Sequence, residues 1–296
     1  METLLALLVL AGAALQNADR SRDGNAPVAV PGLESIETRF QQVYPLARVG
    51  MERTPGRTRA VLLLHGLGIH PLNNAKVYEP LFHDWQLPGS VLVKALGKDA
   101  DVFAYAYSQN TRIEKVAQTP ALAQAVGKLR FLGYPEIILL GHSTGGVVAR
   151  LFVEDNPRSG VTRVVQVCAP NDGSSWAKLN FSVAKDQELF LHSLTKKERL
   201  VWNELRDDKR IPGNVDFLCV VGATGLHGDG MVSCKSQWSP DLQKQGIPAV
   251  RLTTTHLTVL RAPKTVDKVA ELVREDHPRW SAEKVQAMRK SIMGGP

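Results

Sequence analysis

Apolar and polar positions along the chain fall into two alternating patterns. Short, nearly unbroken apolar runs occur at residues 60–64, 101–107, 136–140, 161–167, 217–221 and 249–253. Runs of this length suit strands buried on both faces of a parallel sheet. Between them lie stretches with helical spacing: residues 120–131, the segment after Ser143 with Val147/Leu151 and Val148/Phe152 at i,i+4, and residues 263–275. Pro157 stops the second of these, because the residue before a proline is pushed out of the helical region. Strands alternating with helices predict βαβ units, and so an α/β protein with a mostly parallel central sheet and helices on both faces.

One region breaks the rhythm. Residues 173–213 contain no strand pattern, and a structureless loop of that length is unusual in a compact domain. Thr195 and Glu198 have the spacing of a capping box, in which Thr195 accepts from the Glu198 amide while Glu198 reaches back. Val201 and Leu205 then give the helix one apolar face, and Trp176, Leu179, Phe181, Leu189, Phe190 and Trp202 add large apolar groups. Two readings stand for this segment: an ordinary packed excursion, or a helical lid over an apolar pocket.

Composition narrows the class without naming a function. The 296 residues are 44% hydrophobic and 22% charged, close to soluble globular values. A chain this long needs no disulfide or metal to hold a core. The net charge of +7 comes from 36 basic and 29 acidic residues. The charges are interspersed except at Arg53, Arg57 and Arg59, which argues against a nucleic-acid partner. Three cysteines, Cys168, Cys219 and Cys234, have no metal spacing, and a Cys219–Cys234 pair stays open. No histidine pair has a zinc-site spacing either, so no metal is expected. Residues 4–15 form an apolar run of signal-peptide length, although no Lys or Arg precedes it. Residues 1–20 therefore read as a signal peptide or N-terminal anchor, which favours an exported or membrane-anchored protein over a cytoplasmic one. Residues 21–50 read as a lead-in, and 51–290 as the folded domain.

The sharpest chemical feature is Gly141-His142-Ser143-Thr144-Gly145-Gly146. It follows the run at 136–140 and opens a helix, the context a nucleophile elbow requires. His65-Gly66-Leu67-Gly68 follows the run at 60–64 in the same way. Together the two motifs, in this order, resemble those of the α/β-hydrolase superfamily, and within it the bacterial lipase and esterase branch, over about residues 58–260. The resemblance implies an oxyanion hole formed by the Leu67 and Thr144 amides. It leaves His65 a structural role within its loop, and it implies a triad in the chain order Ser, acid, His.

Ser143 is then the expected nucleophile, and His256, beyond the last strand run, the expected base. His142 reads as a packing residue, and His277 as a surface one. For the acid, Asp229 in Asp-Gly-Met-Val-Ser resembles the acid loop of bacterial lipases, and Asp172 is the alternative. Asp216 lies at the wrong end of its strand. The implied function is a serine hydrolase cleaving carboxylic esters through an acyl-enzyme, with no cofactor required, acyl or lipid esters as substrates and a membrane or lipid surface as an admissible partner. An acyltransferase, thioesterase or amidase would use the same triad. A non-catalytic binding protein of this fold is the alternative of another class. Oligomeric state is not legible in the sequence.

Overall fold

A computed structural model describes residues 36–46, 50–70, 73–178, 183–225 and 227–293. The segment read as a signal peptide or anchor, and Leu179 and Phe181 of the insertion, lie outside the described residues. Seven strands form one sheet: β1 (Thr38–Tyr44), β2 (Arg59–Leu64), β3 (Ala100–Tyr107), β4 (Glu136–His142), β5 (Arg163–Val167), β6 (Asp216–Ala223) and β7 (Ala249–Thr253). Their order is β1-β3-β2-β4-β5-β6-β7. The last six strands are mutually parallel, and β1 runs antiparallel on the β3 edge. All six strand expectations correspond to strands. β1 was not expected: it lies in the segment read as lead-in, and its mixed sequence Thr-Arg-Phe-Gln-Gln-Val-Tyr buries only part of one edge.

Alternate residues of each central strand face opposite layers, as the pleat dictates. Leu62, Leu64, Phe103, Tyr105, Leu139 and Phe217 join one core, under the helices Ile113–Ala117, Pro120–Phe131 and Thr144–Asp155. Leu63, Val102, Ala104, Leu140, Val165 and Leu218 join the other, under Val91–Leu96 and Pro263–Arg274. The 120–131 helix starts where Thr119 accepts from the Leu122 amide and Pro120 occupies the first turn. A further helix, Ala282–Met293, follows the one expected to close the fold. His277, between them, is buried rather than on the surface: its Nε2–H donates to the Leu272 carbonyl (2.7 Å). The three cysteines are free and buried. No helix among the described residues is long and apolar enough to cross a membrane.

The insertion packs in a way its apolar residues did not announce. It holds α1 (Glu188–Ser193) and α2 (Lys196–Leu205). Thr195 caps α2 by accepting from the Glu198 amide (3.4 Å), but Glu198 does not reach back. Its carboxylate instead takes the Arg112 guanidinium at 2.6 Å, which holds it below the usual carboxylate range. The face of α2 bearing Leu200, Val201 and Leu205 is exposed, the last at 71%. The packed face is polar. Arg199, 1% exposed, pairs with buried Glu114 at 2.9 Å, and Asn203 donates to the Asn171 carbonyl (3.2 Å) and to Asp172 (3.1 Å). Just beyond α2, Arg206 bridges Glu154 and Asp155, both at 3.0 Å.

Candidate active site

The carboxyl ends of β2, β4, β6 and β7 converge on one cavity, as ligand sites of open parallel sheets do. Ser143 sits between β4 and the Thr144–Asp155 helix with φ 54 and ψ −125, a left-handed conformation that a non-glycine residue holds only when its surroundings enforce it. Part of that enforcement is the Ser143 amide, which donates to the Val167 carbonyl of β5 (2.8 Å). The turn leaves no room for side chains beside it. A Cβ on Gly66 would lie 2.7 Å from the Ser143 Cβ, and one on Gly145 would strike the Leu64 carbonyl. Thr144, in the first turn of the helix, has an amide without an intrahelical acceptor.

His256 follows β7. Its amide donates to the Asp229 carbonyl (2.9 Å), and its Nδ1–H donates to Asp229 Oδ2 at 2.6 Å. That bond fixes the tautomer and leaves Nε2 as the acceptor. Asp229 Oδ1 accepts from the Met231 and Val232 amides at 2.9 and 2.8 Å. Burial works to raise the Asp229 carboxyl, but the electrostatic attraction and hydrogen bond of the His256 ring, with the two amides, outweigh it and hold the group below its ordinary value. Ser143, His256, Thr144 and Leu67 all line the same cavity. Its other walls are mostly apolar, with Trp176, Leu191 and Leu194 contributed by the insertion, while His83, Ser174 and Arg261 add polar groups.

The other candidates lie elsewhere or act differently. Asp172 bonds Asn203, not a histidine, and burial pushes its carboxyl up to about 6. Asp216 pairs with Arg163 at the opposite end of the sheet (3.1 Å). His65 Nδ1–H donates to the Gly66 carbonyl (2.7 Å) while its Nε2 accepts from the Tyr107 amide (3.2 Å). Burial lowers it to about 4, so it stays neutral and structural. His142 does more than pack: its Nε2–H donates to the His256 carbonyl at 3.0 Å, under a ring 4.8 Å away. Cys168, Asp229 and His256 bring three potential ligand atoms within 4.8 Å of one another. Burial raises the Cys168 thiol well above its ordinary value, and Asp229 Oδ2 and His256 Nδ1 are already engaged with each other at 2.6 Å. Arg53, Arg57 and Arg59 bond the Gly133 and Gly97 carbonyls and Glu136, which accounts for that basic cluster within the fold.

Sequence reasoning missed Gln109 and Gln187, which bond the backbone beside Leu67. Neither belongs to a motif, and only their burial, 3% and 0% exposed, sets them apart.

No family model matches the chain, and no curated protein is similar to it in sequence. Solved structures match its fold. The mature lipase BlEst2 of Bacillus licheniformis superposes with a TM-score of 0.57 at 14% identity, covering 80% of this chain and 98% of that one. A metagenomic carboxyl esterase gives 0.50 at 15% identity, covering 90% and 89%. The phospholipase PlaB of Legionella pneumophila gives 0.52 at 14%, covering 79% of this chain and 63% of that one. The chain has the α/β-hydrolase fold. The neighbours that share it include bacterial lipases and esterases.

Proposed function

We propose that the protein is a serine hydrolase of carboxylic esters, with acyl or lipid esters as its substrates. The observation that carries this reading is the Asp229–His256 pair at 2.6 Å, opening on the same cavity as a serine held in a left-handed turn. In this mechanism His256 Nε2 removes the Ser143 proton as Oγ attacks the ester carbonyl. Asp229 keeps the tautomer and stabilises the imidazolium that forms. The Leu67 and Thr144 amides hold the tetrahedral oxyanion, each contributing about 3–4 kcal/mol at the transition state. His256 then gives its proton to the leaving alkoxide. Water, activated by the same imidazole, cleaves the acyl-enzyme and restores Ser143.

The apolar cavity wall supports an acyl chain as the group bound there, with residues 173–213 acting as its cap. The exposed Leu200, Val201 and Leu205, on a helix that begins Lys196-Lys197, suit an enzyme that meets its substrate at an amphiphile surface.

A p-nitrophenyl ester series from acetate to palmitate tests the reading. Turnover should rise from acetate to longer chains and vanish in Ser143→Ala, whose melting temperature should match the wild type. Equal turnover by Ser143→Ala would refute it.

A further inference from the structure

The loop from Gly66 to His70 has no strand beside it, yet its backbone is paired. Gln109 Nε2 donates to the Gly66 carbonyl (3.0 Å), and Gln109 Oε1 accepts from the Gly68 amide (3.1 Å). Gln187 Nε2 donates to the Gly68 carbonyl and to Gln109 Oε1 (2.8 Å), while Gln187 Oε1 accepts from the His70 amide (3.3 Å). Every donor meets an acceptor, so swapping O and N in either side chain would set like against like. The two glutamines come from far apart. Gln109 lies just past β3, and Gln187 ends the turn Lys185–Gln187 in the insertion, 119 residues from Gly68.

The bonded backbone groups belong to Gly66, Gly68 and His70, every second residue, as on one edge of a strand. In an extended chain the groups of the intervening residues point the other way. Those residues are Leu67 and Ile69; both line the cavity that holds Ser143, as Gly66 does, and both also border the neighbouring cavity beside Gln109, whereas Gly68 and His70 line only the latter.

We propose that Gln109 and Gln187 are positioning residues that act as a substitute strand, aiming the Leu67 amide at the oxyanion, so that the 173–213 insertion completes the oxyanion hole. The proposal rests on the ester-hydrolase reading. It also gives the insertion a second task besides covering the acyl chain: without Gln187 the cavity keeps its shape but loses the alignment of one donor.

The test is Gln187→Met, close in volume and unable to make any of the three bonds. It should lower kcat about ten- to a hundredfold, less than outright removal of an oxyanion donor, with KM within twofold. Affinity for an alkyl boronic acid, which forms a tetrahedral adduct on Ser143, should fall by the same factor as kcat/KM, while affinity for the free fatty acid holds. Amide exchange at Gly68 and His70 should accelerate, showing that the pairing was lost. Adding Gln109→Met should cost little more than the larger single change, because the two side chains act as one unit. Wild-type kcat in a folded Gln187→Met with exposed Gly68 and His70 amides would overturn the proposal alone. Losses in kcat and boronate affinity that merely track the folded fraction would also overturn it. A wild type that turns over no ester and binds no boronate would instead bring down the ester-hydrolase reading, and the proposal with it.

Discussion

The Ser143 elbow and the 173–213 insertion face the same cavity but are held by different kinds of contact. At the elbow the constraints are short and made by backbone: the Ser143 amide on Val167, and Gly66 and Gly145 pressed where a Cβ would collide. Asp229 and His256 are likewise tied by a main-chain bond as well as by their side chains. The insertion is held by polar side chains that meet across long stretches of chain, Arg199 on Glu114, Arg112 on Glu198, and Gln187 on Gly68. Its apolar residues divide, Phe190 entering the core while Leu200 and Leu205 face outward. Close backbone approach restricts residue identity locally and so writes itself into motifs. A buried ion pair restricts only two distant positions jointly, and either one alone looks like an ordinary surface charge.

Substitutions in the two regions should therefore act differently. Asp229→Asn should have the largest effect, about 10⁴-fold on kcat, since it upsets the tautomer of His256 while leaving the fold in place. Steady-state kinetics with thermal melting would check this; a small loss would remove Asp229 from the acid role. Next comes the anchor of the insertion. Arg199→Met takes from buried Glu114 the closer of its two guanidinium partners, leaving Arg112 at 3.4 Å, and should cost about 3 kcal/mol in urea unfolding, most of it regained when Glu114→Leu is added. Leu205→Ser, on the exposed face of the same helix, should change stability by less than about 0.5 kcal/mol. The reverse order would mean that α2 packs through its apolar face.

Asp172→Asn is the smaller, opposite test. Its carboxyl is raised from 3.8 to about 6 chiefly by burial, so ionising it opposes folding. That penalty is absent below about pH 4, grows up to about pH 6 and is constant above. The substitution should therefore stabilise the protein at pH 7 by about 1–2 kcal/mol, discounted for partial exposure, and flatten the decline between pH 4 and 6. Activity should be unchanged. Unaltered stability at pH 7 would show that the buried charge is better solvated than its surroundings indicate.

Much of the fold was legible because burial on two faces leaves unbroken apolar runs, and all six expected runs are strands. β1 escaped because an antiparallel edge strand needs no unbroken apolar run, and in Thr38–Tyr44 the apolar Phe40 is separated from Val43 and Tyr44 by Gln41 and Gln42. The elbow, the Leu67 loop and Asp229 were legible as candidates because each follows a strand run and carries a local signature, and His256 because it alone among the histidines lies between the last run and the closing helix. The packing of α2 could not, because Val201 and Leu205 mimic a core-facing stripe while Arg199 hides the true contact. Nor could the glutamine pairing beside Leu67, since Gln109 and Gln187 come from segments without a motif.

Intact-mass analysis after incubation with a fluorophosphonate reads out whether Ser143 is an activated nucleophile. The wild type should gain a single adduct that maps to Ser143, is absent from Ser143→Ala and forms far more slowly in Asp229→Asn. Folded wild-type protein that gains no adduct, with or without detergent, would contradict that role.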